Sequence, residues 1–312
     1  MQYIKELSQY QSGRESAVTF GKFDGLHRGH QKLVSKVREL STKENLNSIV
    51  CAFDMHPLWK EKGITPQIIM DQRERYLHLD GVVDVLVECP FTPDFARMRA
   101  EAFIEEIICR KLHARYVVVG TDFHFGYEKK GDVHMLAAYA ETYGYQLFVI
   151  EKERYQDRII SSTYIKEVLR TGDVGKAAEL LGYYYGADGV VEHGRRLGRT
   201  LGFPTVNLHW PAEKIAPPNG VYFGRVRVDG SWHPAISNVG VKPTVSRDGR
   251  LLVESYLLDY EGDAYGKEIL TELMAFHRPE RRFETVDALK EQVDRDIACG
   301  RKFFETQKQQ KK

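Results

Sequence analysis

Through residue 182, short apolar runs alternate with stretches whose apolar positions recur every three or four residues. The runs at 17–20, 48–53, 82–87, 116–120 and 146–150 read as strands, and 30–40, 72–79, 101–111 and 133–143 carry a helical period. Strand–helix alternation predicts a doubly wound parallel sheet. YVVVG and SIVCAF are apolar at nearly every position, as in strands covered on both faces. Two further helical stretches, 162–170 and 174–181, close this half. Around 182–189 the texture changes. Short segments such as YFGRVRV and LLVESYLL follow, separated by the turn-like PPNGVY, RVDGSW, RDGRL and YEGDAYG. One helical pattern, 285–298, comes last. This half predicts a small antiparallel β-barrel with a terminal helix. The expected organisation is a domain over 1–182, a second over 183–306 and a frayed tail over 307–312.

Composition narrows the classes. The chain has 312 residues, 42% hydrophobic and 29% charged, which fits a globular protein of two domains. Lys plus Arg is 45 against 44 for Asp plus Glu, with neither half strongly charged, so no nucleic-acid or membrane partner is expected. No apolar run approaches the ~20 residues of a membrane span. The four cysteines are far apart in sequence, with no C-x-x-C. That spacing, with a polar N-terminus lacking a signal-peptide core, suggests a cytoplasmic protein with free thiols.

The first chemistry-bearing stretch is VTFGKFDGLHRGH. A strand ends, a Gly-rich turn follows and a helix begins, the place where open α/β sheets bind ligands and where free N–H groups favour phosphate. His27 and His30 lie three apart and can share one face of the first turn, as donors to phosphoryl oxygens, as a metal pair, or as part of an ordinary capped helix. Ser161, Ser162 and Thr163 precede a helix, where hydroxyls cap or bind phosphate. Asp122 follows the 116–120 strand, as a ligand contact or an Asx turn. His56-Pro57 follows the 48–53 strand in the same manner.

The second stretch is HGRRLGRTLGFPTVNL. Its glycines allow close backbone approach and its arginines add charge. Thr205 and Asn207, two apart, face one side of an extended strand and offer hard neutral oxygens suited to Mg²⁺. Glu254 has Leu252 and Tyr256 as neighbours on its own strand face. A carboxylate in such a row serves as a base or as half of a salt bridge.

The segment G-x-F-D-G-x-H-x-G-H resembles the phosphate-binding H-x-G-H motif of nucleotidylyltransferases. With FDMHP at 53–57, GTDFHFG at 120–126, KKGD at 129–132 and SSTYIK at 161–166, it resembles the prokaryotic bifunctional riboflavin kinase/FAD synthetase family. GFPTVN at 202–207, PPNGVY at 217–222, SNVGVKPT at 237–244, LVESYLLDY at 252–260 and RPERRF at 278–283 extend the likeness, and DRDIACGRKF near the end fits it loosely. The resemblance implies an N-terminal nucleotidylyltransferase module that adenylylates FMN to FAD and a C-terminal flavokinase barrel. Riboflavin, FMN, FAD and ATP are the implied ligands. In the first module it implies ATP contacts at Gly21, Phe23, Asp24, Gly25, His27, His30, Ser161, Ser162, Thr163 and Lys166, with His27 and His30 catalytic. Flavin or phosphate contacts fall at His56, Pro57 and Asp122. In the barrel it implies ATP contacts at Gly198, Arg199, Gly202, Phe203, Pro204, Thr205 and Asn207. There Mg²⁺ is held by Thr205 and Asn207, Glu254 is the catalytic base, and Arg278 and Glu280 meet flavin. Lys22, Lys166 and Tyr183-Tyr184 stand where the family usually has Asn, Arg and Arg-Pro. An alternative is therefore a kinase with a weakened first module. A more distant one is a non-catalytic flavin sensor.

Overall fold

The structure is a computed structural model that describes residues 1–192, 202–241 and 251–310. Its packing divides the chain into two compact units, Met1–Ser162 and Thr163–Lys312.

The first unit is built on a six-stranded sheet. Its strands are β1 (Gln2–Ile4), β2 (Ser16–Gly21), β3 (Asn47–Asp54), β4 (Val85–Pro90), β5 (Ala114–Gly120) and β6 (Gln146–Ile150). They lie in the order β1-β4-β3-β2-β5-β6, and every pairing is parallel. The chain runs from β2 through β3 to β4 on one side, then crosses to the other side of β2 for β5 and β6. The carboxyl ends of β2 and β5 thus form the topological switch point, where such sheets bind ligands. Helix α1 (Arg28–Glu44) buries the stripe Leu33, Val34, Val37, Leu40 and Ser41, and ends on Asn45 at φ 53°. Helices α2 (His56–Glu61), α3 (Gln72–Leu79), α4 (Pro93–Ala96) and α5 (Ala100–Ala102) follow in turn. The 101–111 pattern, expected as one ordinary helix, begins as α5 and continues as a π-helix over Phe103–Lys111. Helix α6 (Val133–Tyr143) precedes β6, and a two-stranded hairpin, β7 (Arg154–Tyr155) and β8 (Arg158–Ile159), follows it.

In the second unit, α7 (Ser162–Arg170) and α8 (Val174–Leu181) come before the strands. Helix α8 packs on β9 (Tyr185–Val190) and β14 (Glu268–Pro279), burying Val174, Ala177, Leu180 and Leu181. The packing division therefore falls ahead of the change in sequence texture at 182. The remaining strands are β10 (Thr205–His209), β11 (Gly220–Val228), β12 (Ser231–Val241) and β13 (Leu251–Leu257). The sheet order is β10-β13-β12-β11-β14-β9, antiparallel throughout. The two outer strands meet at a bridge between Glu192 and Asn207, where the Glu192 N–H donates to the Asn207 carbonyl at 3.0 Å. That bridge makes the sheet a barrel. Val253, Ser255 and Leu257 point to its buried face, and the Ser237 and Ser255 hydroxyls meet there at 2.8 Å. The terminal helix α9 (Val286–Gln310) covers part of the opposite face, where Phe304 joins Val221, Phe223, Ile236 and Leu258. It runs into the stretch read as a frayed tail.

Candidate active sites

β2 ends at Gly21, and the turn that follows is tightly built. Phe23 and Leu26 take positive φ, and Gly25 sits at φ +89°. A Cβ at Gly25 would also crowd Ile69 at 3.0 Å, which adds to the demand for glycine made by its φ. The Asp24 carboxylate, expected at ATP, accepts from the backbone N–H groups of Ile69 (2.7 Å) and Met70 (3.3 Å). It fastens the turn to the segment before α3. The Ser162 hydroxyl donates to the Asp24 carbonyl at 2.8 Å, which ties the Ser161–Ser162 end of the first unit to the same turn. Thr163 and Lys166 follow in the opening turns of α7.

His27 is the N-cap of α1. Its Nδ1 accepts from the His30 N–H at 3.4 Å, and the two imidazoles stack with centroids 3.7 Å apart. Burial holds the His27 pKa down at about 4. Burial, then the proximity of His27 and Arg75, lowers His30 as well. Both rings are therefore neutral at pH 7. With Nδ1 occupied as an acceptor, His27 carries its proton on Nε2 and presents a donor. Of the roles left open for this pair, neutral donation fits this geometry best, because ligating a metal through Nε2 would put the ring proton on Nδ1 and break the bond from the His30 N–H. Among the described residues no group of three or more His, Cys, Asp or Glu side chains is arranged to hold a metal ion.

His56 opens α2 beyond the end of β3, with Pro57 in the first turn. Its Nδ1 and its N–H both meet Asp54 Oδ1, and Gln72 donates to Asp54 Oδ2 at 3.1 Å. The ring is thus oriented by a fixed carboxylate. Asp122, just past β5, pairs with Lys152 at 2.7 Å and is exposed. Arg28 bonds Glu153 at 2.7 Å, and Lys32 bonds the same carboxylate.

Sequence reasoning missed a group of aromatic rings at these strand ends. Phe53 lies 5.8 Å from Phe91 and 6.0 Å from Phe95, and Phe20 lies 6.4 Å from Phe53 and 6.1 Å from Phe123. Phe53, Phe91, Phe95 and Phe123 are only partly buried. The available signal was an aromatic at or just after four strand ends in turn: TFG, AFD, PF and DFHF.

In the second unit, register assembles the site. Asn207 pairs with Glu254 across β10 and β13, and Glu254 pairs with Asn238 across β13 and β12. Thr205 and Ile236 both pair with Tyr256. Directly paired side chains project from the same face, so Thr205, Asn207, Glu254, Tyr256 and Asn238 form one patch opposite the buried Val253–Ser255 face. Thr205, Asn238, Glu254 and Tyr256 of this patch wall a cavity of about 760 Å³ whose lining also includes Phe203, Arg278, Glu280, the 281–286 segment and Asp296 of α9, while the Asn207 side chain is buried beside it. Pro204 leads from Phe203 into β10. Gly202 precedes them, while Gly198 and Arg199 lie outside the described residues.

Arg278 lines the cavity, but its guanidinium grips Asp296 in a fork, Nε to Oδ1 at 3.0 Å and Nη2 to Oδ2 at 2.6 Å. Gln292 donates to Asp296 at 2.8 Å and His277 lies 3.2 Å from it. Burial raises the Asp296 pKa, yet the bonds from Arg278 and Gln292 outweigh it and hold the carboxyl below its usual range. Arg278 thus also clamps α9 to β14.

The FAD synthetase family model matches residues 9–164 and the riboflavin kinase family model matches residues 181–304. The bifunctional riboflavin kinase/FMN adenylyltransferase of Escherichia coli (strain K12) is 35% identical over 306 residues, covering 96% of each chain. The protein of that name from Listeria monocytogenes is 32% identical over 292 residues, covering 92% of each. A solved structure described as a macrolide-efflux protein from Streptococcus pneumoniae matches with a TM-score of 0.85 at 28% identity, covering 96% of this chain and 98% of that one. No helix among the described residues is long and apolar enough to cross a membrane. Two family matches in succession, and relatives aligned over almost the whole length, establish that this chain belongs to the bifunctional riboflavin kinase/FMN adenylyltransferases.

Proposed function

We propose that riboflavin is phosphorylated by ATP to FMN at the barrel cavity, and that FMN is adenylylated by a second ATP to FAD, with release of pyrophosphate, at the switch point of the first sheet. Residues 1–182 serve the second reaction and 183–306 the first. The observation that carries the reading is the register placing Glu254 between Asn207 and Asn238 on a cavity wall.

A primary alcohol has a pKa far above 7 and needs a positioned base to attack phosphorus. Glu254 accepts that proton as the alcohol oxygen bonds to the γ-phosphorus and ADP departs. Thr205 and Asn207 offer a hydroxyl and an amide oxygen on the same face as the Glu254 carboxylate. That all-oxygen set fits Mg²⁺ and is poor for softer metals. Thr205 and Asn207 would hold the ion, which supplies charge neutralisation at the ATP phosphates.

Adenylyl transfer asks less of the protein. The FMN phosphate is already ionised at neutral pH, so positioning and charge stabilisation suffice. The neutral His27 Nε2–H is a donor preset for the phosphoryl oxygens, and the free N–H groups of α1 add to it. The partly buried faces of Phe53, Phe91, Phe95 and Phe123 suit a flat heteroaromatic ring, so the flavin end of FMN lies on them. His56 and Asp122 lie beyond the ends of β3 and β5, at the same edge of the sheet. A cytoplasmic setting belongs to this reading and is supported by four cysteines, none of them in a disulfide. Incubating the purified chain with riboflavin, ATP and Mg²⁺ tests it: chromatography should show FMN and then FAD. FMN without FAD would leave only the kinase half standing.

A further inference from the structure

Three motifs of the second unit take no part in the phosphoryl-transfer step above: the PPNG turn, the SNVG stretch of β12 and the RPE segment at the end of β14, whose Glu280 the resemblance sets at flavin. The fold brings one polar side chain from each together. Asn219 donates from Nδ2 to Glu280 Oε2 at 3.2 Å, and Asn238 donates from Nδ2 to Glu280 Oε1 at 3.2 Å. Beneath the carboxylate lies Gly240, two residues along β12 from Asn238 and on the same face. A Cβ at Gly240 would stand 2.0 Å from Glu280 Oε1, a separation real atoms do not adopt. Both Glu280 and Asn238 line the cavity, and Asn238 pairs directly with Glu254.

We propose that Asn219, Asn238 and Gly240 are positioning residues of the kinase, holding the Glu280 carboxylate at the cavity wall as a preset acceptor for the hydroxyl and imide donors of the flavin substrate. Both partners are neutral amide donors. Its two oxygens offer about four acceptor sites, and two are taken by the amides, leaving the rest for a ligand. Gly240 supplies the room: any side chain there would leave the carboxylate no seat. Asn238 adds a second consequence. One amide contacts the binding carboxylate and belongs to the strand position facing the base, so seating of the substrate and placement of Glu254 share a residue.

The inference rests on the kinase reading, and its test separates the two. FMN formation by the parent chain and its loss in Glu254→Gln decide the kinase reading alone. For the cradle, Gly240→Ala, Glu280→Ala and the double variant are compared by the KM for riboflavin, kcat and melting temperature. FAD formation from supplied FMN serves as the control for an intact first unit. A hydrogen bond to a charged group is worth about 1.5–3 kcal/mol, roughly a ten- to hundredfold change. Gly240→Ala and Glu280→Ala should each raise KM by about that factor with kcat little changed. The double variant should be no worse than Glu280→Ala alone, because the methyl then has nothing to displace. If Gly240→Ala does not fold, the same cycle is run with Asn238→Ala in its place. Additive losses, an unchanged KM in Glu280→Ala, or a fall in melting temperature without a change in KM would each overturn the proposal.

Discussion

Replacing His27 with Asn removes an imidazole but keeps an oxygen able to accept from the His30 N–H, whereas His27→Ala removes both. The two variants therefore separate capping from catalysis. Loss of an N-cap acceptor costs about 1 kcal/mol, and Asn is among the best caps, so only the Ala variant should lose that amount at pH 7.5. Loss of a preset donor at developing negative charge costs roughly 2.7–4 kcal/mol, or about 10²–10³ in rate, so both variants should lose FAD formation alike. Acid adds a third signature. The folded His27 pKa is about 4, against ~6.5 in an unfolded chain. Within that interval the unfolded state binds more protons. The stabilisation is complete above about pH 6.5 and drains away as pH falls towards 4, reaching about 3 kcal/mol in all. Both substitutions should remove the His27 share of that acid-side slope and leave the share of the buried His30. Hydrogen exchange in β2 and α1 peptides reads the first unit separately from the second, at pH 7.5 and pH 5. FAD made from supplied FMN, with riboflavin phosphorylation as the control, reads the chemistry. FAD formation at the parent rate in both variants, or an acid-side slope as steep as the parent's without His27, would refute the assignment.

Glu254→Gln keeps shape but removes the base, so riboflavin phosphorylation should fall by about 10²–10⁴ while conversion of supplied FMN to FAD stays at the parent level. Arg278→Met strands the buried Asp296 charge. Calorimetry should show the second unit destabilised by about 3 kcal/mol, with less of the loss in Arg278→Lys. A fragment beginning at Thr163 should fold and phosphorylate riboflavin. One beginning at 183 lacks α8, uncovers the face of β9 and β14 that α8 buries, and should show a lower melting temperature or aggregate.

The local pattern made much of this architecture legible. The strand Gln146–Ile150 and the helices Gln72–Leu79, Val133–Tyr143, Ser162–Arg170 and Val174–Leu181 have the bounds that their periodicity predicts. β1 escaped because three residues carry no period, and α2 because none of its residues is buried and so it has no apolar stripe. The terminal helix outruns the 298 boundary because its last turns are polar, yet Gln, Lys and Glu are good helix formers. At the sites, Thr205 and Asn207 were readable because their alignment is a local, two-residue matter. The partners of Glu254, Arg278 and Glu280 were not, since they arrive through strand register and helix docking. The two histidines were visible as a pair, but their neutrality was not, because burial is a property of the assembled turn.

The bridge between Glu192 and Asn207 gives one residue two obligations. Its carbonyl closes the seam where the barrel would otherwise have two open edges. Its side chain shares a face with Glu254, where we propose that Mg-ATP is held. Anything gripped by that side chain is gripped at the seam, so occupancy and closure are thermodynamically linked: a ligand that prefers the closed form must slow the opening of these two strands by mass action. The exchange rate of the Glu192 amide proton is then a gauge of occupancy at the kinase face, read from the backbone and independent of turnover.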